Sequence, residues 1–206
     1  AKVVFNGDGS DELTGGYLYF LKSPSSIESD RECRDLLENI HMFDVLRSDR
    51  CISRHGLEPR TPFLDRTFVN YYLSLPINLR NPITSNISNL PNSVCEKQLL
   101  REAVTHVYPD LIPHDIIWRR KEAFSDGVSG ESRSWFEIIK DKVENMDLVA
   151  HSSWTHNTPT TQEQIYYRKI YEECYPNTAN CIPYFWMPKY VDADDCSART
   201  LDIYNK

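Results

Sequence analysis

The sequence predicts a mainly helical chain that begins with one β-strand. Val3, Val4 and Phe5 form a short β-branched and aromatic run that ends at Gly7, which is typical of a buried strand that enters a tight loop. Further along, apolar residues recur at spacings of three and four in several segments, as they do on one face of a helix. The 206 residues are 40% hydrophobic and 26% charged, a composition that suffices for one folded domain.

The other elements follow from local patterns, in order along the chain. Ser10 is predicted to be the N-cap of a helix whose first turn carries Asp11 and Glu12, where negative charge favours the helix dipole. Residues from about 29 to 49 carry an apolar stripe among charges and are predicted as one long helix. Proline, asparagine and charge predict loops at 56–65, 76–94 and 118–130 and an irregular tail from Cys181, and helical spacing predicts helices at 68–75, 96–107, 132–143 and 161–174.

Composition and charge exclude several classes of function. With 23 Lys and Arg against 30 Asp and Glu, the net charge is −7, so the chain lacks the basic surface of a nucleic-acid-binding protein and gains little from an anionic membrane. No apolar run approaches the roughly 20 residues of a membrane-spanning helix. The six cysteines lack the close pairs of a zinc site and are too sparse for a disulfide scaffold, so we expect reduced thiols in a cytoplasmic protein.

An acidic, glycine-containing loop at residues 6–12 is the first candidate site. It reads NGDGSDE and lies between the predicted strand and the first helix. Such a loop offers backbone N–H groups to a phosphate or carboxylate, and carboxylates to Mg²⁺ or a substrate ammonium. Its spacing matches neither a dinucleotide fingerprint, nor a Walker A loop, nor an EF-hand. From the residues alone, a tight turn followed by a helix cap explains the loop equally well.

Two further motifs carry charge. In the segment 118–127, Lys121 follows two arginines and is suited to stabilising a charged transition state, although ordinary surface composition favours a solvated charge cluster. In the segment 56–65, Glu58, Arg60 and Asp65 are suited to a buried ion-pair network or a pocket lining. A rigid loop held by Arg60 and a carboxylate is the simpler interpretation of that second segment.

Seven stretches of the sequence, in order, resemble the C-terminal synthetase part of glutamine-dependent asparagine synthetases of the eukaryotic type. Examples are VVFNGDGSDELTGGYLYF near the start and WRRKEAFSDG after the middle. Together the stretches run nearly end to end, which is far more specific than any single match. They lie at 3–20, 42–50, 55–65, 71–76, 96–102, 118–127 and 184–201.

This resemblance implies a two-domain enzyme. An N-terminal glutaminase domain with a cysteine nucleophile releases ammonia from glutamine, and the ammonia reaches the synthetase domain through a tunnel. There, ATP and Mg²⁺ activate aspartate as β-aspartyl-AMP with release of pyrophosphate, and ammonia displaces AMP to give asparagine. The implied fold is α/β, a parallel sheet with helices like that of the adenine-nucleotide alpha-hydrolases. Residues 1–206 would be its mainly helical C-terminal portion, with one or few strands at the start.

The resemblance also assigns roles to eight residues, and the chain departs from the family at two of them. Asp8 stands where the family usually has Glu, which shortens the reach of the carboxylate by about 1.5 Å, and Asn6 stands where it has Ser. Residues 81–94 look longer than in relatives, as in a surface insertion. By resemblance, Asn6 and Gly7 would lie against the nucleotide, Asp8 and Lys121 would be catalytic, Asp11 would bind Mg²⁺, and Glu58, Arg60 and Asp65 would flank the substrate pocket.

The extent of the chain leads to further expectations. The chain begins at Ala1 without Met and shows a lone strand, so we expect the partner strands, the pyrophosphate loop and the glutaminase domain to precede Ala1. The 206 residues alone are then expected to be inactive. A homodimer of the full-length protein stays open. Two alternatives also stay open: a related amide-forming synthetase of the β-lactam synthetase kind, and a non-catalytic helical fragment that only binds partners.

Overall fold

The computed structural model describes residues 2–80, 95–130, 133–193 and 196–197. The chain divides into two compact units, Ala1–Lys121 and Glu122–Lys206. Its strands are β1 (Val3–Phe5) and β2 (Glu58–Arg60), and its helices are α1 (Ser10–Thr14), α2 (Ser26–Asn39), α3 (Asp44–Ser53), α4 (Arg66–Ser74), α5 (Ile77–Arg80), α6 (Gln98–Val107), α7 (His114–Ile117), α8 (Phe124–Gly127), α9 (Trp135–Glu144) and α10 (Gln162–Cys174).

The two strands form a small parallel sheet. Val4 lies opposite Pro59, and the neighbouring residues continue this register on both sides. The expectation that β1 has no partner in this chain was therefore wrong, as was the prediction of a continuous loop over 56–65. Pro59 obscured the strand, because it cannot donate a ladder hydrogen bond. The ladder forms around it, since Glu58 N–H donates to the Lys2 carbonyl at 2.8 Å and Asn6 N–H donates to the Arg60 carbonyl at 2.9 Å.

The first strand is not buried by the described residues, contrary to the prediction. Val3 and Val4 are exposed, and Phe5 is 75% exposed. Their β-branched and aromatic character specifies the extended backbone, and β2 supplies hydrogen bonds along one edge. The pairing of β1 with β2 thus fixes the position of the loop that follows β1, while the side chains of β1 are exposed.

The buried core of the first unit lies where α1 packs against α2. Gly15 ends α1 in the left-handed conformation, with φ 61°, and the 3₁₀ turn Leu18–Lys22 then brings aromatic side chains inward. Within this core, the hydroxyl of Tyr19 donates to the carboxylate of Glu32 at 2.9 Å, which satisfies a buried polar pair. The buried apolar residues here are Leu13, Leu18, Tyr19, Phe20, Cys33 and Ile40.

Two predicted helix boundaries needed correction. Ser10 is the first residue of α1 rather than its cap, and Gly9 takes the cap position with φ 86°. A side chain at Gly9 would also overlap Leu64. Both the positive φ and the lack of space therefore favour glycine at this position. The long helix predicted from about 29 to 49 is broken: α2 ends, a 3₁₀ turn follows, and Phe43 adopts φ −124° and ψ −105° before α3 begins. The apolar stripe continues across this break, so its period did not reveal it.

The remaining helix predictions agree with the structure within a few residues. The helices predicted at 68–75, 96–107, 132–143 and 161–174 are confirmed as α4, α6, α9 and α10. Short helices α5 and α8 lie inside predicted loops, and residues 81–94, including the predicted insertion, lie outside the described residues. None of the helices in the described part of the chain has the length and apolarity that a bilayer crossing needs.

In the second unit, Arg168 on α10 is a fully buried cation that ties loops together. Its Nε donates to Glu172 at 2.8 Å, and one terminal nitrogen donates to the carbonyls of His156 and Asn157 at 3.0 and 3.3 Å. The side-chain amide of Asn157 donates in turn to the carbonyls of Ile182 and Pro183, both at 2.7 Å. The irregular segment after residue 181 is therefore anchored through one arginine.

Replacement of Arg168 by Met should destabilise the second unit by about 3 kcal/mol, because it leaves a carboxylate and two part-buried carbonyl contacts without their donor. Urea unfolding of the full-length protein, followed by hydrogen exchange of the amides in α10, measures this change. Lys169→Met is the matched control, since Lys169 is exposed on the same helix and should give less than about 0.5 kcal/mol. Equal stability of the two variants would contradict the assigned role of Arg168.

Candidate functional site

The acidic loop that follows β1 is a braced turn. The side-chain amide of Asn6 donates to Asp8 Oδ2 at 3.0 Å, and the Asp8 N–H donates to Asn6 Oδ1 at 3.2 Å. The hydroxyl of Ser48, which lies on α3, donates to the same carboxylate oxygen of Asp8. Asp8 is therefore held from both sides, and its Oδ2 is already an acceptor for two donors.

Gly7 lies at the open side of this turn. It is exposed, and a Cβ built on it would meet no atom within 4 Å. The main chain at this position is thus accessible to a molecule that lies against it.

The carboxylate of Asp11 brings two lysines together. Lys97 Nζ lies 2.9 Å from Asp11 Oδ1, and Lys121 Nζ lies 3.6 Å from Asp11 Oδ2. Asp11 Oδ1 is buried and receives no well-directed hydrogen bond from the described residues, so its compensation is the Lys97 charge. Two cations against one carboxylate leave the Asp11–Lys97–Lys121 cluster with a net positive charge, which suits an anionic ligand.

Lys97 is the member of this cluster that the sequence reasoning did not single out. It adopts a left-handed backbone, φ 57°, just before α6, and its ammonium also donates to Ser10 Oγ at 3.0 Å. Gly16 makes the approach possible, since a Cβ there would overlap both Asp11 Oδ1 and the Lys97 side chain. Lys97 and Asp11 are far apart in the sequence, so no local pattern reports their contact; the only signal was that 96–102 is one of the resembling stretches.

Lys121 is not part of a solvated charge cluster. Its side chain is 12% exposed, and its ammonium lies 5.4 Å from the centre of the Tyr17 ring, within cation–π range. The neighbouring Arg119 and Arg120 are exposed, as the simpler interpretation expected. The structure thus separates one lysine of this basic run from the surface and pairs it with Asp11.

A buried carboxyl–phenol pair lies next to this cluster. The hydroxyl of Tyr17 donates to Glu12 Oε1 at 2.5 Å. Burial raises the pKa of Glu12 from 4.5 to about 7, against the opposite effect of the Tyr17 hydrogen bond, and the charges of Asp44 and Asp11 raise it further. Burial and the adjacent Glu12 also raise the pKa of Tyr17 well above its ordinary value. Near neutral pH the Glu12 carboxyl is therefore partly protonated, which reduces the negative charge next to Tyr17 and Lys121.

The two side chains predicted to be catalytic have different partners. Asp8 is bonded to Asn6 and Ser48, whereas Lys121 is paired with Asp11. Within the first unit, the structure thus brings Lys121 to the helix that follows the acidic loop and holds Asp8 on the turn that precedes that helix.

The residues predicted to flank a substrate pocket show structural roles. Glu58 and Arg60 form an ion pair at 2.6 Å, but both side chains are 58% exposed, so the buried ion-pair network is wrong. Asp65 caps α4, since its Oδ1 accepts from the N–H groups of Thr67 and Phe68 at 2.9 and 3.0 Å. These contacts agree with the rigid-loop interpretation.

The arrangement does not fit a Mg²⁺ ion held by the described residues alone. Both oxygens of Asp11 face lysine ammonium groups. In the ranges that the structure describes, no group of three or more His, Cys, Asp or Glu side chains is placed to hold a metal ion. The two lysines beside Asp11 favour an anion over a cation.

Comparison with known proteins gives consistent findings. The sequence model described as "Asparagine synthase" matches residues 22–190. The chain is 47% identical to the glutamine-hydrolysing asparagine synthetase of Cricetulus griseus, and 46% identical to those of Gallus gallus and Homo sapiens. Each alignment covers 98% of this chain but 35% of the relative, so the chain spans about a third of the length of these proteins. The acidic loop at residues 6–12 lies before the start of the family match at residue 22 but within the alignments to these relatives.

Replacement of Asp65 distinguishes a helix cap from a substrate contact. Asp65→Ala should destabilise the first unit by about 1 kcal/mol. Asp65→Asn keeps a side-chain oxygen that can cap α4, so it should destabilise the unit by only about 0.3 kcal/mol. Urea unfolding of the full-length protein measures both. A lowered enzymatic turnover in Asp65→Asn with unchanged stability would instead place Asp65 in the pocket.

Replacement of Glu12 by Gln tests the raised pKa of Glu12. The folded state binds this proton more tightly than the unfolded state, so the contribution of Glu12 to stability is complete below pH 4.5 and is lost as the pH rises through about 7. The variant keeps an acceptor for Tyr17 and lacks this titration. Between pH 4.5 and pH 7.5, urea unfolding should show the wild type losing about 3 kcal/mol more than the variant. Parallel pH profiles would show that the pKa of Glu12 is ordinary.

Proposed function

Because this chain belongs to the asparagine synthase family, we propose that it is the C-terminal portion of the synthetase domain of a glutamine-dependent asparagine synthetase. The family match and three glutamine-hydrolysing relatives at 46–47% identity support this proposal. The full-length enzyme would convert aspartate, ATP and ammonia from glutamine into asparagine, AMP and pyrophosphate through β-aspartyl-AMP. The glutaminase domain and the pyrophosphate loop would belong to the part of the relatives that this chain does not cover.

We further propose that the parent fold is the parallel sheet of the adenine-nucleotide alpha-hydrolases. The parallel pairing of β1 with β2 supports this proposal, since parallel sheets are typical of α/β proteins. The exposed apolar side chains of β1 also support it, because strands of parallel sheets are covered on both faces. In the full-length protein, helices packed on the faces of a larger parallel sheet would supply that cover.

The observation that carries the functional proposal is the net positive Asp11–Lys97–Lys121 cluster beside the loop at the carboxyl end of β1. In open parallel sheets, ligands bind outside the carboxyl ends of the strands. The residues present there fit ATP: the two lysines would face its phosphates, and the open main chain at Gly7, next to Asn6, would receive the rest of the nucleotide. When bound, ATP supplies the adenylyl group that activates the side-chain carboxylate of aspartate.

In this proposal Lys121 and Asp8 have separate tasks. The Lys121 ammonium, held against Asp11 in a largely buried position, stabilises the negative charge that develops between the phosphate and the reacting carboxylate. Asp8, fixed by Asn6 and Ser48, orients the reacting groups while the acyl-adenylate forms. Asp11 as a Mg²⁺ ligand rests on the resemblance alone, since in the described residues its oxygens are paired with lysines.

Aspartate-dependent exchange of labelled pyrophosphate into ATP tests the proposal in the full-length protein. Lys121→Met and Asp8→Ala should each lower the exchange rate by about 100-fold or more, since each removes a group that acts on the transition state. Asp35→Ala and Lys140→Met are matched controls, because both residues are exposed on helices outside the site, and should exchange like the wild type. Wild-type exchange in Lys121→Met and Asp8→Ala would refute the site assignment.

A further inference from the structure

We propose that Glu96 and Arg101 are positioning residues for Lys121: their buried ion pair holds the main chain from which Lys121 reaches the site. This inference rests on the proposed role of Lys121. It concerns residues whose place in the sequence predicts only the start of a helix.

Glu96 joins Lys121 to α6. Its Oε1 accepts from the Lys121 main-chain N–H at 2.6 Å and from Arg101 Nη2 at 2.9 Å. The side chains of Glu96 and Arg101 are 5% and 12% exposed, so this ion pair is shielded from water. A buried carboxylate is stable only if its lone pairs are satisfied, and here one of the donors is the backbone of the proposed catalytic lysine.

Arg101 extends the same attachment along the chain. Its Nη1 donates to the carbonyls of Ile117 and Arg119, the latter at 2.9 Å, and its Nε donates to the Glu96 carbonyl at 2.8 Å. The pair therefore binds the main chain at three alternate residues, 117, 119 and 121. The turn before α6, which holds Glu96, and the first turn of α6, which holds Arg101, thus set the course of residues 117–121.

The segment needs this support because it has no regular structure of its own. Residues 118–123 lie between α7 and α8 without helix or strand, so no repeating ladder of main-chain hydrogen bonds fixes the position of Lys121. Asp11 and Tyr17 contact the ammonium group of Lys121, and Glu96 holds its main-chain N–H. A shift of about 1 Å in a catalytic group can lower a rate by about 100-fold.

A merely structural ion pair would stabilise α6 without acting on Lys121. A positioning role and a merely structural role therefore predict different kinetics. Misplacement of Lys121 would lower kcat of the exchange reaction and leave KM for ATP nearly unchanged, since the lysine acts most strongly in the transition state. It would also expose the Lys121 amide to solvent. General loss of stability would reduce the amount of folded enzyme and the protection of all amides alike.

The experiment uses the full-length protein and combines pyrophosphate exchange kinetics with hydrogen exchange of the peptide that covers residues 117–122. Glu96→Ala should lower kcat by about 100-fold, with KM for ATP within threefold of the wild type, and should lower amide protection in this peptide while α2 keeps its own. Glu96→Gln keeps an oxygen acceptor for the Lys121 N–H and should recover at least tenfold of that loss. Glu102→Gln is the control, because Glu102 lies on α6 next to Arg101 and its Oε1 accepts from Gln98 on the same helix.

The outcomes separate this inference from the function it rests on. Exchange within threefold of the wild type in Glu96→Ala, or no recovery in Glu96→Gln while residues 117–122 stay protected, would overturn the positioning role. If Glu96→Ala does not fold, Arg101→Lys decides: about tenfold lower kcat with a normal fold supports the role, and wild-type kcat overturns it. Wild-type exchange in Lys121→Met would instead refute the proposed role of Lys121, and the absence of exchange in the wild type would refute the proposed function itself.

Discussion

The carboxylate of Asp11 is the constraint on which the geometry of the first unit depends. A partly buried carboxylate needs a counter-charge, and Asp11 obtains two, from Lys97 before α6 and from Lys121 after α7. Several local features follow from that need. Gly16 lacks a side chain because the Lys97–Asp11 contact occupies the space, and Lys97 accepts a left-handed backbone to reach it. Residues that are distant in the sequence thereby converge on the helix that follows β1.

The groups next to the Asp11–Lys97–Lys121 cluster preserve its net positive charge. Glu12 would add a second carboxylate beside the lysines, but burial raises its pKa to about 7 in spite of the hydrogen bond that Tyr17 donates to it. The same Tyr17 presents its ring to Lys121. A net positive charge on the Asp11–Lys97–Lys121 cluster is consistent with the binding of phosphates in the proposed enzyme.

Sequence patterns predicted those parts of the molecule that depend on local chemistry. β1, α4, α6, α9 and α10 follow from β-propensity and helical spacing, and the charged loop after β1 was a candidate site from its composition alone. The missed features depend on contacts across the chain. Pro59 disguised β2 because ladder bonds on its two neighbours compensate for its missing donor. The pairing of Lys97 with Asp11, and of Glu96 with the Lys121 backbone, leaves no trace in spacing, since tertiary contacts rather than propensity produce it.

The central claim, that Lys97 and Lys121 face the phosphates of bound ATP, can be measured by affinity labelling. An acyl phosphate derivative of ATP transfers its acyl group to a lysine amine close to the phosphates, and mass spectrometry of the full-length protein identifies that lysine. The account predicts labelling of Lys121 or Lys97 that excess ATP prevents. ATP-sensitive labelling confined to lysines outside the cluster, such as Lys140 or Lys189, would contradict it.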